Sequence, residues 1–262
     1  MTPPTATPTA PPTLDEICVI ACAEAWRGDG EIFASGMGTI PMLAARLARA
    51  SFEPDLLVSD GEAFYIANDL PLGAGPTDKI VEGWIPFRSV FDTLWGGRRH
   101  VMMGASQVDR FGNQNIACIG PWSKPKAQLL GVRGGPGNTV NHATSYWVPN
   151  HTARVFVEQV DMVSGVGYQR AAALGDWVRD HHEIRRIITN KAVLDFETPD
   201  HAMRLRSVHP GVTADEVQEL TGFPLVIPDD VPETRGPTDE ELHLLRDVLD
   251  PNDLRKAEVK AA

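Results

Sequence analysis

Glu31-Ile32-Phe33-Ala34-Ser35-Gly36-Met37-Gly38-Thr39-Ile40-Pro41-Met42-Leu43 begins the stretch that decides the fold, and Leu56-Leu57-Val58 ends it. Glu31–Ala34 reads as a short strand and Gly36-Met37-Gly38 as a tight turn. A helix follows, with Pro41 in its first turn, where an N–H has no partner to lose, and with Met42, Leu43 and Leu47 directed to the core. The continuous apolar run Leu56-Leu57-Val58 predicts a strand buried on both faces. Strand, glycine turn, helix, strand is the pattern of an α/β layer with mostly parallel strands.

Upstream, Thr13-x-x-Glu16 is a capping box that opens a helix with Leu14, Ile17, Cys18, Ala21, Cys22 and Ala25 on one face. Residues 1–13 hold five Pro and five Thr and predict a disordered tail. Downstream, His100–Ala105 and Asn115–Ile119 predict strands around the turn Arg110-Phe111-Gly112-Asn113. Residues 120–150, rich in Gly, Pro and Asn, read as an ordered functional loop region, because so long a connection rarely persists without a task. Arg154–Val160 alternates as a strand, and Val193–Phe196 and Met203–Val208 can pair around Thr198-Pro199-Asp200. Thr213–Leu220 and Thr238–Leu249 are the closing helices, the second opened by a capping box from Thr238 to Glu241, with a proline-laced arm, Pro224–Pro237, between them. No repeat or linker interrupts residues 14–262, which predicts one domain.

The composition narrows the function. The chain has 262 residues, 42% hydrophobic and 23% charged, an ordinary globular balance. Its 35 acidic and 24 basic residues give a net charge of −11, which disfavours nucleic acid and anionic membrane surfaces as partners. No apolar run approaches the ~20 residues that span a bilayer, and no secretory signal opens the chain, so a cytoplasmic location is expected. Cys18, Cys22 and Cys118 form neither a disulfide framework nor a zinc motif and read as packed, reduced thiols. The histidines show no ligand spacing, so no metal is expected.

Three segments can carry chemistry. Gly36-Met37-Gly38, between a strand and a helix start, either offers N–H groups to an anion or thioester oxygen, or is a turn for close packing. The pattern stops short of GxGxxG, and no GKS or GKT follows. Gly131-Val132-Arg133-Gly134-Gly135-Pro136-Gly137 lets backbone approach a ligand and offers a guanidinium, with Lys124 and Lys126 upstream and Arg98-Arg99 able to join them. Ser59-Asp60-Gly61-Glu62 follows a buried strand at the usual ligand edge of an open α/β sheet and supplies a hydroxyl and two carboxylates. No GxSxG elbow surrounds Ser59.

The stretch Met103-Gly104-Ala105-Ser106-Gln107-Val108-Asp109-Arg110-Phe111-Gly112-Asn113-Gln114-Asn115 resembles the GA-x-QVD-x-[FY]GN-x-N signature of β subunits of class I CoA transferases of the glutaconate type. Ile119-Gly120, Lys124-Pro125-Lys126 and the glycine-rich loop follow in the family's order. Phe156-Val157-Glu158-Gln159-Val160-Asp161, Gly165-Val166-Gly167-Tyr168, Met203 to Thr213 and Thr221-Gly222-Phe223 resemble its later motifs. Gly36-Met37-Gly38-Thr39-Ile40-Pro41 is similar to its early G-x-G-x-P turn. The likeness runs in order over about residues 14–250.

The resemblance implies an open, mostly parallel sheet with helices on both faces. It also implies a homologous α subunit, commonly in an α2β2 assembly, and an acyl-CoA site at the interface. Coenzyme A is then part of the substrate, and no cofactor is implied. Contacts to CoA or substrate are expected from Gly36, Gly38, Gln107, Asn113, Arg133, Gly134 and Gly135. In the transferases a β-subunit glutamate, in an ExG or SENG motif after the strand matching Leu56–Val58, attacks the thioester. Here Ser59 takes that place in one register and Asp60, one methylene shorter, in the other. That departure resembles a hydrolytic branch of the family, which opens the last steroid ring of a CoA thioester from cholesterol degradation by a retro-Claisen step. Ser59 and Asp60 would then be pocket or orienting groups, with the main base on the partner subunit. Two alternatives stay open: a glutaconate-type transferase using Asp60 or Glu62, and a non-catalytic subunit that completes the partner's site.

Overall fold

Short runs of β-branched and aromatic side chains build a six-stranded sheet whose order in space is its order in the chain. The strands are β1 (Phe33–Gly36), β2 (Arg99–Gly104), β3 (Ala143–Val148), β4 (Ile184–Thr189), β5 (Ala192–Asp195) and β6 (Arg204–Val208). The computed structural model describes residues 10–259, so most of the expected 1–13 tail lies outside the described residues. β1 to β4 run parallel, with Phe33 opposite Arg99, His100 opposite Ala143 and Tyr146 opposite Ile187. β5 and β6 turn back antiparallel, with Ile187 facing Leu194 and Leu194 facing Leu205. The open, mostly parallel α/β sheet expected from the sequence is therefore present.

One face of the sheet is covered by α1 (Leu14–Ala23) and α2 (Thr39–Ser51), the other by the short helices Tyr168–Ala173 and Ala214–Glu219 with loop residues such as Phe156 and Phe223. α1 opens at its expected cap, where the Thr13 N–H donates to Glu16 Oε2 at 2.9 Å. It is buried from Asp15 to Ala23, not along one face, because the C-terminal segment folds over its outer side. Cys18 and Cys22 are fully buried there, and burial pushes both thiols up, as suits packed, inert groups. α2 lies so close to β1 that a Cβ on Gly36 would stand 2.3 Å from the Pro41 carbonyl oxygen.

Several expectations change. Leu56-Leu57-Val58 does run parallel beside β1, with the Ala34 N–H donating to the Leu57 carbonyl at 2.9 Å. Leu56 and Val58 are buried but Leu57 only half-buried, so this edge is covered on one face. A hairpin of Phe64–Ile66 and Val81–Trp84 closes it. Asn115–Ile119 splits into Gln114–Asn115, paired with Gln107–Val108, and Cys118–Ile119, paired with Ala127–Gln128. Arg154–Val160 is not a strand: Phe156 makes an isolated parallel bridge to Val108, and its carbonyl accepts the Gly222 N–H at 2.8 Å. Its alternation serves to bury Phe156 against His151, with ring centroids 4.0 Å apart.

The region 120–150, read as loop, contains the helix Gly135–Asn141 and the central strand β3. Val193–Phe196 and Met203–Val208 pair as expected, as β5 and β6. The arm after Pro224 runs along the free edge of β6, where the Leu205 N–H donates to Val226 and the Thr234 N–H to Val208. The last helix opens at its Thr238–Glu241 box with bonds of 2.8 and 3.1 Å, then widens over Leu244–Leu249 to end on an Asp250 N–H bond to Leu245.

Candidate active site

Helix α3 (Phe87–Gly96) carries Phe87, Val90, Phe91 and Leu94 on one side, at i, i+3, i+4 and i+7. That side walls a cavity of about 580 Å³, with Leu94 also lying against the helix Gly135–Asn141. Met37 from the turn after β1, Met103 to Ser106 at the end of β2, and Leu130 with Arg133 to Gly135 complete the wall. The cavity thus sits at the carboxyl ends of adjacent parallel strands, where open α/β sheets hold ligands.

Arg99, the first residue of β2, lines the same cavity from below. It is 2% exposed, and its guanidinium gives one hydrogen bond, from Nη2 to Ser35 Oγ at 2.8 Å. Its Nε has no partner, and among the described residues no carboxylate pairs with it. Burial pushes its pKa down to about 10, against a weaker opposing pull from Tyr65. Ser35 is in register with Val101, three residues short of Gly104. The charged head therefore lies about 10 Å below the cavity mouth, at ~3.3 Å per strand residue. A second unpartnered polar atom, the buried Oδ1 of Asn138, belongs to the same lining.

Of the residues singled out from sequence as binding groups, Arg99, Arg133, Gly134 and Gly135 reach this cavity. Arg133 is exposed at its rim, in a left-handed conformation (φ 50°) with Nε donating to the Leu130 carbonyl at 3.2 Å. Arg98, Lys124 and Lys126 are exposed and outside the lining. Gly36 and Gly38 form the turn, but the anion subsite expected there is already filled. The N–H groups of Thr39 and Ile40 donate to the Glu258 carboxylate at 3.0 and 2.9 Å, and Trp147 Nε1 donates to it at 3.2 Å.

Ser59 faces Gly36 across a narrow recess against α2, and its Oγ accepts the Gly61 N–H at 3.2 Å. Asp60 builds its own loop. Oδ1 accepts the N–H groups of Glu62, Ala63 and Phe64 at 2.8 to 3.1 Å, and Oδ2 pairs with Lys79 at 2.7 Å. Burial opposes ionisation there, but the Lys79 ammonium and the three amides outweigh it and hold the carboxyl at about 2. Gln107 and Asn113 point inward and away from the cavity. Gln107 joins Asp161 and Asn115, while Asn113 donates to Asp109 and accepts the Gly167 N–H. Both are buried and bonded at both ends of the amide, so this half of the signature is a structural corner, while its first residues, Met103 to Ser106, line the cavity.

Two other clusters stand apart from this cavity. A groove of about 680 Å³ along β6 is lined by Arg27, Arg204, Arg206 and Arg235, all paired with carboxylates. His100 lies between Asp29 at 2.7 Å and Ser145 at 2.9 Å, the order of a nucleophile triad. His100 and Ser145 are fully buried and line neither the groove nor the cavity, so the trio braces the sheet. Among the described residues no cluster of His, Cys, Asp or Glu is placed to hold a metal, and no helix is long and apolar enough to cross a membrane. In sequence Arg99 reads, with Arg98, as able to join the glycine-rich loop, and it does line the same cavity as Arg133, but neither its burial nor α3 nor Asn138 stands out. The 3.6-residue spacing of Phe87, Phe91 and Leu94 was the available signal.

No family model matches the chain. It is 53% identical over 247 residues to the cholesterol ring-cleaving hydrolase IpdB subunit of Rhodococcus jostii RHA1, covering 94% of this chain and 96% of that one. It is 31% identical over 246 residues to the β subunit of the 3-oxoadipate CoA-transferase of Pseudomonas knackmussii, covering 88% and 91%. The crystal structure of Rhodococcus jostii RHA1 IpdAB matches it with a TM-score of 0.90 at 52% identity, over 95% of this chain and 99% of that chain. By sequence and by fold, the chain belongs to the class I CoA-transferase family, within its group of IpdB subunits of cholesterol ring-cleaving hydrolases.

Proposed function

We propose that this chain is the β subunit of a heteromeric, cytoplasmic hydrolase that takes a cyclic β-keto acyl-CoA from cholesterol catabolism and opens its last steroid ring by hydrolytic carbon–carbon cleavage. The bonding of the Asp60 carboxylate carries the reading. A transferase needs a carboxylate free to reach the thioester carbon at ~3–3.5 Å. The Asp60 side chain is 1% exposed and engaged with Lys79 and three amides. Glu62 is 76% exposed and pairs with the same lysine at 3.2 Å.

Hydrolysis needs neither group as a nucleophile. Water adds to the ring ketone, with a base on the partner subunit taking its proton. The tetrahedral oxyanion then collapses to a carboxylic acid, and the breaking C–C bond leaves its electron pair on the thioester enolate. Protonation of the α carbon completes the step. The apolar cavity suits the ring remnant, and Arg133 at its rim suits the CoA portion. Val81 and Trp84 on the hairpin, with Phe87 and Trp95 on α3, are 50 to 80% exposed. Such a patch suits the α subunit, in an α2β2 assembly.

The test is turnover of the α/β complex in heavy-oxygen water. One heavy oxygen is expected in the new product carboxylate, and trapping with hydroxylamine or borohydride leaves Asp60 and Glu62 unmodified by mass spectrometry. A trapped β-chain carboxylate, or efficient CoA transfer to a free acid, establishes the transferase reading instead.

A further inference from the structure

A buried side-chain amide normally bonds at both its ends, because each has given up water. Asn115 follows that rule: its Nδ2 donates to Gln107 and to the Cys118 carbonyl at 2.7 Å, and its Oδ1 accepts the Ala117 N–H at 2.9 Å. Gln114 has a bare oxygen, but its Nε2 donates to the Gly104 carbonyl and it stands outside the cavity lining. Asn138 follows the rule least. It is 2% exposed, its Oδ1 has no partner, and its Nδ2 reaches the Met103 sulfur at 3.9 Å. A thioether is a weak acceptor, so neither end of this amide makes a strong side-chain bond.

The wall brings that amide to the cavity. Nδ2 is packed among Gly134, Leu94 and Met103, all of which line it. A Cβ on Gly134 would meet Nδ2 and Leu94 Cδ1, each at 3.4 Å. Gly134 has a φ of −84°, which every residue adopts, so its backbone does not call for glycine; the bare Cα leaves the amide uncovered. An apolar side chain of similar size would suit Leu94 and Met103 better, so packing does not explain an amide here.

We propose that Asn138 is a catalytic hydrogen-bond donor to the ring ketone oxygen, the atom that becomes the oxyanion when water adds. This rests on the hydrolase reading above and assigns a residue of this chain to that step. Position selects the oxygen. Arg133 marks the rim where the CoA portion enters, and Asn138 stands one helical turn, about 5 Å, on from Gly134, beside the buried Met103. A thioester entering past Arg133 leaves its own carbonyl near the mouth and carries the β-ketone deeper, level with Asn138. The chemistry agrees. A neutral N–H polarises the ketone without giving up its proton, and its bond strengthens as negative charge gathers on the oxygen. When the C–C bond breaks, that charge passes to the thioester enolate and the bond relaxes. An uncharged donor therefore helps the oxyanion form without holding it back from collapse.

The experiment uses the intact α/β complex with two CoA thioesters, 2-oxocyclohexanecarboxyl-CoA and cyclohexanecarboxyl-CoA, which lacks the ketone. Turnover of the first gives kcat and KM, and calorimetry gives the affinity for the second. Asn138→Leu should lower kcat about 100- to 1,000-fold, the effect of losing one oxyanion donor, with affinity for the ketone-free thioester within about twofold of wild type. Asn138→Asp keeps the shape but donates only when protonated. Its kcat relative to wild type should be lowest near about pH 8 and recover toward about pH 5, a profile that a packing role does not produce. Turnover by Asn138→Leu within about threefold of wild type overturns the proposal. So does an equal weakening of the ketone-free thioester, or a loss in Asn138→Asp that does not diminish as pH falls. Where the wild-type complex does not turn over the ketone, its advantage is read in binding: equal wild-type affinity for the two thioesters overturns the proposal, and tighter binding of the ketone that Asn138→Leu erases supports it. The hydrolase reading rests on where heavy oxygen ends up in wild-type turnover, so the two fail separately.

Discussion

Two arginines, each 2% exposed, show opposite solutions to burying a charge. Arg255, near the C-terminus, lies within 2.7 to 3.1 Å of Asp15, Glu16, Asp250 and Asp253, and these partners hold its pKa above the ordinary value in spite of burial. Arg99, under the cavity, has no such partner among the described residues, and burial pulls its pKa down to about 10. The first is a joint between the two ends of the chain. The second is a charge left without an anion among the described residues. The difference teaches that burial of a charge says little by itself, and that the inventory of its partners separates architecture from function.

The largest expected effect comes from breaking the joint. Arg255→Met leaves Asp15, Glu16 and Asp250 buried beside a lost cation, and should cost about 3–5 kcal/mol in chemical denaturation of the α/β complex. A loss below about 1 kcal/mol would show the carboxylates finding other partners. An acid titration sharpens the contrast. Burial raises the Glu16 pKa, but Arg246, the Thr13 amide and Arg255 outweigh it and hold the carboxyl at about 2, below its ordinary 4.5. A depressed carboxylate contributes stability that is present above about 4.5 and lost as pH falls toward about 2. Arg255→Met should therefore begin to unfold at higher pH than wild type, followed by circular dichroism, whereas Arg99→Met should keep the wild-type acid limb. The smallest effect is on the stability of Arg99→Met itself, within about 1 kcal/mol of wild type or above it, because an unmatched charge is removed and an apolar chain of similar length takes its place. A loss as large as that of Arg255→Met would make Arg99 structural and dissolve the contrast.

The same contrast explains what was legible in the sequence. Glu31 to Val58 announced its α/β pattern because glycine spacing, Pro41 and apolar runs are local signals. The Thr13 and Thr238 caps were legible for the same reason. β3 was hidden because Ala143 to Val148 follows a stretch of Gly, Pro and Asn, and only its position between β2 and β4 makes it central. The signature around Gln107 and Asn113 identified the family, yet their amides hold a buried corner, while the cavity joins motif residues (Met103 to Ser106, Arg133 to Gly135) to the face of α3, which carries no motif. Arg98 and Arg99 read alike, as basic neighbours able to join the glycine-rich loop. Arg99 opens β2 and is buried beneath the pocket, whereas Arg98, just before the strand, is exposed, and no composition count distinguishes them.

The joint at Arg255 also bears on how the molecule comes into being. α1 and α2 leave the ribosome long before the residues that finish them, since Asp15 and Glu16 wait for Arg255 and the first turn of α2 waits for Glu258. A nascent chain thus holds its earliest helices in an unfinished layer until synthesis is nearly complete, and the closing bonds span most of its length. A product terminated a few codons before Arg255 is therefore an opened molecule with its acidic N-terminal helix unlatched. Any fusion at the carboxyl end must leave Arg255 and Glu258 free to swing back.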